Sequence, residues 1–232
     1  MKRIVIIAGI LLAFLSTGCS VMNAPRLADV PLIDHKGDVR VSASAYVYPL
    51  PGLEATTTVG IFNRMALQLH VDGILSDTYF HVAPGFFLPL ENRVFEAYLG
   101  YGHGDGSVYV DADPISAKGD FSTLFLQFNY GWKDLGKRHA DVGFSFKGGW
   151  LYPQFSGSYP NANNTDFVKV YFHDTDFLLE PQAFVRWGGE HVKFNLQVGY
   201  LYLPGLLDFN KTHENVFRYC PFMLSSGVTF IF

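Results

Sequence analysis

Four side chains able to do chemistry sit close together in the chain. The segment MALQLHVD carries His70 and Asp72, and DTYFHVAP carries Tyr79 and His81. If these segments are strands joined over residues 73–77, pairing partners whose numbers sum to 151 sets His70 beside His81 and Asp72 beside Tyr79, all on one face. Two imidazoles and a carboxylate could ligate a metal, or an imidazole could act as general base with an orienting partner. No third ligand or HExxH-type spacing accompanies them, and no Ser-His-acid or Asp-His constellation occurs at a useful spacing. The expectation is a set of hydrogen-bonding groups, with no catalytic residue, no metal and no cofactor.

A second candidate is YLGYGHGDG, with a glycine at every second position from Gly100 to Gly106. A phosphate-holding glycine loop needs a strand before it and a helix opening right after it, so that backbone N–H groups and the helix dipole converge on the anion. SVYVDADP follows instead, and it does not start a helix. The run reads as wall: if the PLENR turn pairs residues summing to 181, Gly100 lies across from His81 and leaves room for it. His103 falls on the opposite face.

The elements that position these residues alternate with period two. From Gly37 onward, segments such as GDVRVSASAYV and VKFNLQVGYLY set one apolar face against one polar face, as half-buried strands do. Such segments cover 38–48, 53–61, 65–72, 78–88, 93–104, 119–131, 140–152, 177–187, 191–202 and 219–232. Their lengths suit tilted strands crossing a bilayer, and an even count suits a closed barrel. Connections alternate as well: FNR, PLEN, KDLGKRH and WGGE are tight, whereas 107–118, 153–176 and 203–218 are long. Short turns at one rim and long loops at the other are the layout of an outer-membrane barrel. Aromatic residues band at both ends, with Phe95, Tyr130, Trp132, Trp187, Phe230 and Phe232 at the short-turn rim. Tyr101, Trp150, Tyr152, Tyr200 and Tyr202 mark the other.

Composition agrees. Aromatics make up 16% of the 232 residues and charged residues another 16%, and the formal charge of −4 lacks the basic stripe that nucleic acid would require. The N-terminus, MKRIVIIAGILLAFLSTGC, has two basic residues, an apolar run too short to span a bilayer, and small residues before Cys19. Leu15-Ser16-Thr17-Gly18-Cys19 resembles the lipobox of bacterial lipoproteins, with Leu one place further from the cysteine than the commonest pattern. The resemblance implies cleavage after residue 18, lipid on Cys19 and, with Ser20 next, an outer-membrane address. Cys220 then has no disulfide partner and reads as a structural thiol.

The chain closes on FMLSSGVTFIF, where Phe222, Leu224, Val228, Phe230 and Phe232 share a face. This resembles the assembly signal of outer-membrane proteins, and residues 38–232 resemble the small OmpA/OmpX-like barrels. With the polar face inward, Arg40, Glu54, Asp72, Glu96, Lys147, Glu180, Arg186 and Lys193 join His70 and His81 in the lumen as a balanced set of charges. Buried charges are costly unless paired, so these read as ion pairs filling the interior.

The expected protein is an all-β, closed antiparallel transmembrane barrel of about ten strands, with 8 to 12 possible. Residues 1–18 form a signal peptide, 19–37 a lipidated N-terminus and periplasmic tether, and 38–232 the barrel. Both barrel termini would face the periplasm of a diderm bacterium. The expected role is non-enzymatic, structural or surface-interacting. Its partners would be outer-membrane lipid, the barrel-assembly machinery, and extracellular or lipopolysaccharide groups meeting loops 153–176 and 203–218. The alternatives are a narrow pore for small solutes, a lipid-anchored lipocalin-like soluble barrel with its apolar face inward and, more distantly, a barrel hydrolase using the lumen histidines.

Overall fold

In the computed structural model, residues 28–46, 52–74, 77–110, 115–136, 139–161, 163 and 166–232 are described. The expected signal segment and Cys19 lie outside them. The strands are β1 (Val39–Tyr46), β2 (Gly52–Phe62), β3 (Met65–Ile74), β4 (Asp77–Leu90), β5 (Arg93–Val110) and β6 (Ile115–Leu135). They continue as β7 (Ala140–Pro160), β8 (Phe167–Phe172), β9 (Asp176–Gly188), β10 (Val192–Tyr200) and β11 (Phe222–Ile231). One helix, α1 (Pro204–Thr212), precedes β11.

Strands β1 to β7 each pair antiparallel with the next, β7 pairs with both β8 and β9, β9 with β10, β10 with β11 and β11 with β1, so ten strands close the wall. The expected ten-stranded antiparallel barrel is therefore present, with β8 as an addition. β8 is an extension of β9 rather than an extra stave. Leu151 faces Asp176 and Phe155 faces Phe172, so one register runs through both, broken where Pro153 offers no N–H.

Alternation fixes the two faces. Along β10 exposed and buried residues alternate without a break, with Phe194, Leu196 and Val198 outside and Lys193, Asn195 and Gln197 inside. Phe222, Leu224, Phe230 and Phe232 of the last strand are exposed outward, as are Tyr101, Trp150, Tyr152 and Trp187. This greasy exterior suits lipid.

The wall is uneven in height. β1 to β4 have 8, 11, 10 and 14 residues, whereas β5, β6 and β7 have 18, 21 and 21. The tall side carries the long-loop cap. Its segments were expected as loops, but 153–160 and 167–172 continue the wall and 204–212 is helical. Leu203, Leu206, Val216 and Phe217 bury against Phe155, Val170 and Phe172, closing the long-loop end with an apolar cluster.

The helix depends on a distant residue. Pro204 suits a first helical position, but Leu203 before it has no acceptor for the free N–H groups of the first turn. Asp176 supplies both, accepting from Gly205 N at 2.9 Å and Leu206 N at 2.8 Å. Its charge also matches the helix dipole.

A second change concerns residues expected in the tether. Ala28 to Ile33 are buried inside the barrel, and only Asp34 to Gly37 emerge at the short-turn rim. Val30, Leu32 and Ile33 pack against Ala66, Ala83, Phe87, Val94, Tyr98, Phe125 and Phe184 of the wall. The wall is shaped for them: a Cβ on Gly131 would stand 2.8 Å from Leu32.

Replacing Asp176 by Ala should lower stability by about 1–2 kcal/mol through loss of the cap. The check is the urea midpoint of detergent-solubilised barrel, together with faster hydrogen exchange over residues 204–212.

Candidate functional site

The interior polar groups form three layers set by strand register. The outermost contains the histidines. β3 and β4 pair as expected, His70 opposite His81 and Asp72 opposite Tyr79. The imidazoles stack with centroids 4.7 Å apart and planes at 11°. His70 Nδ1 bonds Thr56 Oγ1 at 2.8 Å, and its Nε2 lies 3.4 Å from Asp72 Oδ2. His81 Nε2 reaches Gln68 Oε1 at 3.4 Å, while its buried Nδ1 has no partner. Stacked rings present their faces to each other and not their nitrogens to one point, so they do not converge on a common ion.

Opposite them, Lys147 pairs with Glu180 and lies over the Phe125 ring at 5.2 Å. Gly102, and not Gly100, faces His81 in the β4–β5 ladder. The glycine strip makes room for rings other than the histidine. A Cβ on Gly102 would strike Tyr79, and one on Gly100 would strike Phe125.

The middle layer grips the N-terminal segment by its backbone. Gln182 accepts from Ala28 N at 2.8 Å and donates to Ala28 O at 2.6 Å. Gln68 and Gln127 donate to Asp29 O at 3.0 and 3.3 Å, and Glu96 accepts from Ile33 N at 2.8 Å. Arg186, fully buried, donates to Asp29 Oδ1 at 3.3 Å and to Val30 O. Segment 28–33 is thus held as a bound peptide would be, mostly through groups any sequence offers.

The innermost layer is at the short-turn rim. Lys193 donates to Asp141 at 2.7 Å and to Asp134 at 3.0 Å. Arg40, buried, lines an open recess of about 350 Å³ with Lys133, Asp134, His139, Glu190 and Lys193. Beside it, His35 bridges Asp34 and Asp38 at 2.6 and 2.7 Å, and Lys133 pairs with Asp34. Burial alone would raise the Asp34 pKa, but hydrogen bonds from Asp38 and Lys133 hold it well below the usual carboxylate range. Burial, then the hydrogen bond to Asp34, pushes the Asp38 pKa up from the usual carboxylate value. These three residues could reach one metal ion by distance. Both His35 nitrogens and the Asp34 carboxylate are already engaged.

All the sequence-selected lumen residues are buried: His70, Asp72, His81, Glu96, Arg40, Lys147, Glu180, Arg186 and Lys193. They are spread over the layers and do not form one site. The site roles missed were those of Asp29, Gln68, Gln127 and Gln182, which act through the plug, and of Asp141, which acts through Lys193. The available signal was Val30, Leu32 and Ile33, an apolar set out of place in a solvated tether. Cys19 lies outside the described residues, and Cys220 is a buried thiol donating to Phe222 O at 2.7 Å.

No protein-family model and no curated protein matches the chain. Among solved structures the chain is similar to the outer membrane protease OmpT from Escherichia coli, with TM-score 0.54 and 10% identity, over 90% of this chain and 99% of that one. At this identity the likeness shows the fold alone, that of an outer-membrane β-barrel. It corrects the expectation of a non-enzymatic chain, since the same fold carries a protease in OmpT.

The Asp34–Asp38 pair makes stability depend on pH in a defined way. A raised pKa means the contribution of Asp38 is full below its unfolded value near 3.9 and is lost as pH rises through the folded value. Asp38→Asn should flatten this fall relative to the native chain in urea midpoints taken from pH 4 upward. Replacing His70 and His81 together by Gln should leave heat-modifiable gel mobility intact and cost about 1–3 kcal/mol, as for loss of buried hydrogen bonds.

Proposed function

We propose that this chain is a lipid-anchored outer-membrane barrel that works through its long-loop end as an interaction platform, and is not a conduit. The observation that carries the reading is closure of the lumen at both ends by the chain itself. Residues 28–33 fill the short-turn half, and α1 with the Phe155, Phe172 and Phe217 cluster covers the other. Among the described residues, the cavities between them, at Tyr79 and at Asp29, are about 10 Å³ each, and a wider recess of about 730 Å³ lies on the short side of the wall at Leu53, Glu54, Asp72 and Thr78. Neither a solute path nor an apolar ligand fits the two small cavities.

What the fold presents outward is the tall wall. Above the aromatic band, β6 and β7 turn polar with exposed Ser116, Lys118, Gln154 and Ser156, and β8 exposes Phe167, Lys169 and Tyr171. Among the described residues, β8 pairs only with β7. A cation flanked by aromatic rings suits the phosphorylated sugars of lipopolysaccharide. In this reading Cys19 holds the chain to the inner leaflet, both barrel ends face the periplasm, and the Phe222–Phe232 strand is what the assembly machinery recognises.

Purified barrel in planar bilayers should give no single-channel steps. The same protein in nanodiscs should bind lipopolysaccharide micelles, and the combined Phe167→Ser, Lys169→Glu, Tyr171→Ser variant should lose about tenfold in affinity, the scale of one lost cation–π or stacking contact. Regular conductance steps, or binding unchanged in the variant, would refute the platform.

A further inference from the structure

Between the N-terminal segment and the wall lies an enclosed cavity of about 10 Å³, lined by Asp29, Ser42 and Ser44 of β1, Glu54 and Thr56 of β2, and Gln197 of β10. All six residues are buried. Two carboxylates, three hydroxyls and one amide surround it, so an oxygen can come from every lining side chain. Two of those oxygens, Oδ2 of Asp29 and Oε2 of Glu54, are buried and have no hydrogen-bond partner among the described residues.

The protons of the two serine hydroxyls are committed. Ser42 donates to the other oxygen of Asp29 at 3.1 Å, and Ser44 donates to Asn195 at 3.4 Å. Thr56 is engaged with His70 at 2.8 Å. Lone pairs are therefore left for the cavity. Arg186 offsets the charge of Asp29 through Oδ1. Among the described residues Glu54 has Ser225, at 2.7 Å, as hydrogen-bond partner and no basic one. A cation in the cavity would offset the cost of burying that carboxylate.

We propose that the cavity binds one Ca²⁺ ion, which staples Asp29 of the N-terminal segment to the wall at Glu54. Ca²⁺ takes six to eight oxygens in flexible geometry and accepts carboxylates with amide carbonyls. Mg²⁺ keeps several waters, for which a space of this size has no room. Zinc and copper favour nitrogen and sulfur, which the lining does not converge on the cavity.

The test refolds the full chain in detergent with Ca²⁺ or with EGTA, removes free metal by gel filtration, and counts bound metal by plasma mass spectrometry. Refolding in Ca²⁺ should leave about one Ca²⁺ per chain and slow hydrogen exchange over residues 28–33 about tenfold, and Mg²⁺ should do neither. Glu54→Gln and Asp29→Asn should each lower retained Ca²⁺ about tenfold or more while heat-modifiable mobility persists. Glu180→Gln, whose carboxylate pairs with Lys147 outside this cavity, should retain it. Should both carboxylate variants fail to fold, Ser44→Ala, which removes one donor and no charge, should still weaken retention. Native protein with less than about one-tenth Ca²⁺ per chain, and exchange equal in Ca²⁺ and EGTA, would overturn the proposal and leave a water in the cavity.

Discussion

The contact between Arg186 and Asp29 organises the interior. A guanidinium on β9 with no exposure cannot reach water, and removing one member of such a buried pair typically costs about 3–5 kcal/mol. The aspartate that answers it comes from outside the wall, on a segment preceding β1. Once Asp29 is fixed, the three glutamines around it find backbone partners, and Val30, Leu32 and Ile33 fall against the apolar patch below. The lumen is thus a core built from both wall and plug, and neither half satisfies its polar groups alone.

The plug touches strands far apart in the chain. It contacts Ser42 on β1, Gln68 on β3, Glu96 on β5, Gln127 on β6 and Arg186 on β9. The hairpins β2–β3 and β4–β5 join neighbours in sequence, whereas the closing β1–β11 ladder joins the two ends of the barrel. Local pairings form before distant ones because loop closure costs entropy. A segment that contacts staves all round the circuit finds its full set of partners only as the circuit closes, so seating the plug and sealing the seam are one event.

The wall was legible because alternation is a strong signal: all ten segments read from it became staves, and the turn over 73–77 fixed the His70–His81 register. The β4–β5 register was missed by two residues. Only Glu91 and Asn92 form that turn, with Glu91 at φ 54°, a tight geometry that draws Leu90 and Arg93 into pairing. Gly102 therefore replaces Gly100 opposite His81. The helix was missed because PGLLDFNKT is short and its cap, Asp176, lies far away in sequence. The plug was missed because no periodicity marks six residues held by side chains of other strands. What sequence patterns do not carry, in both cases, is a partner supplied at long range.

Fold alone does not decide whether such a barrel performs chemistry; access does. His70 and His81 could exchange protons in principle, but each is nearly fully buried, with Tyr79 and Phe121 stacked between them and the long-loop end. Above those rings sit Leu201, Leu203 and Leu206, which belong to the same apolar cluster. Leu206 is the residue whose N–H Asp176 holds. The carboxylate that starts the helix therefore also fixes the lid over the histidines. Displacing α1 from Asp176 would open the tall side, while a recess of about 730 Å³ on the short side reaches Asp72, the carboxylate beside His70.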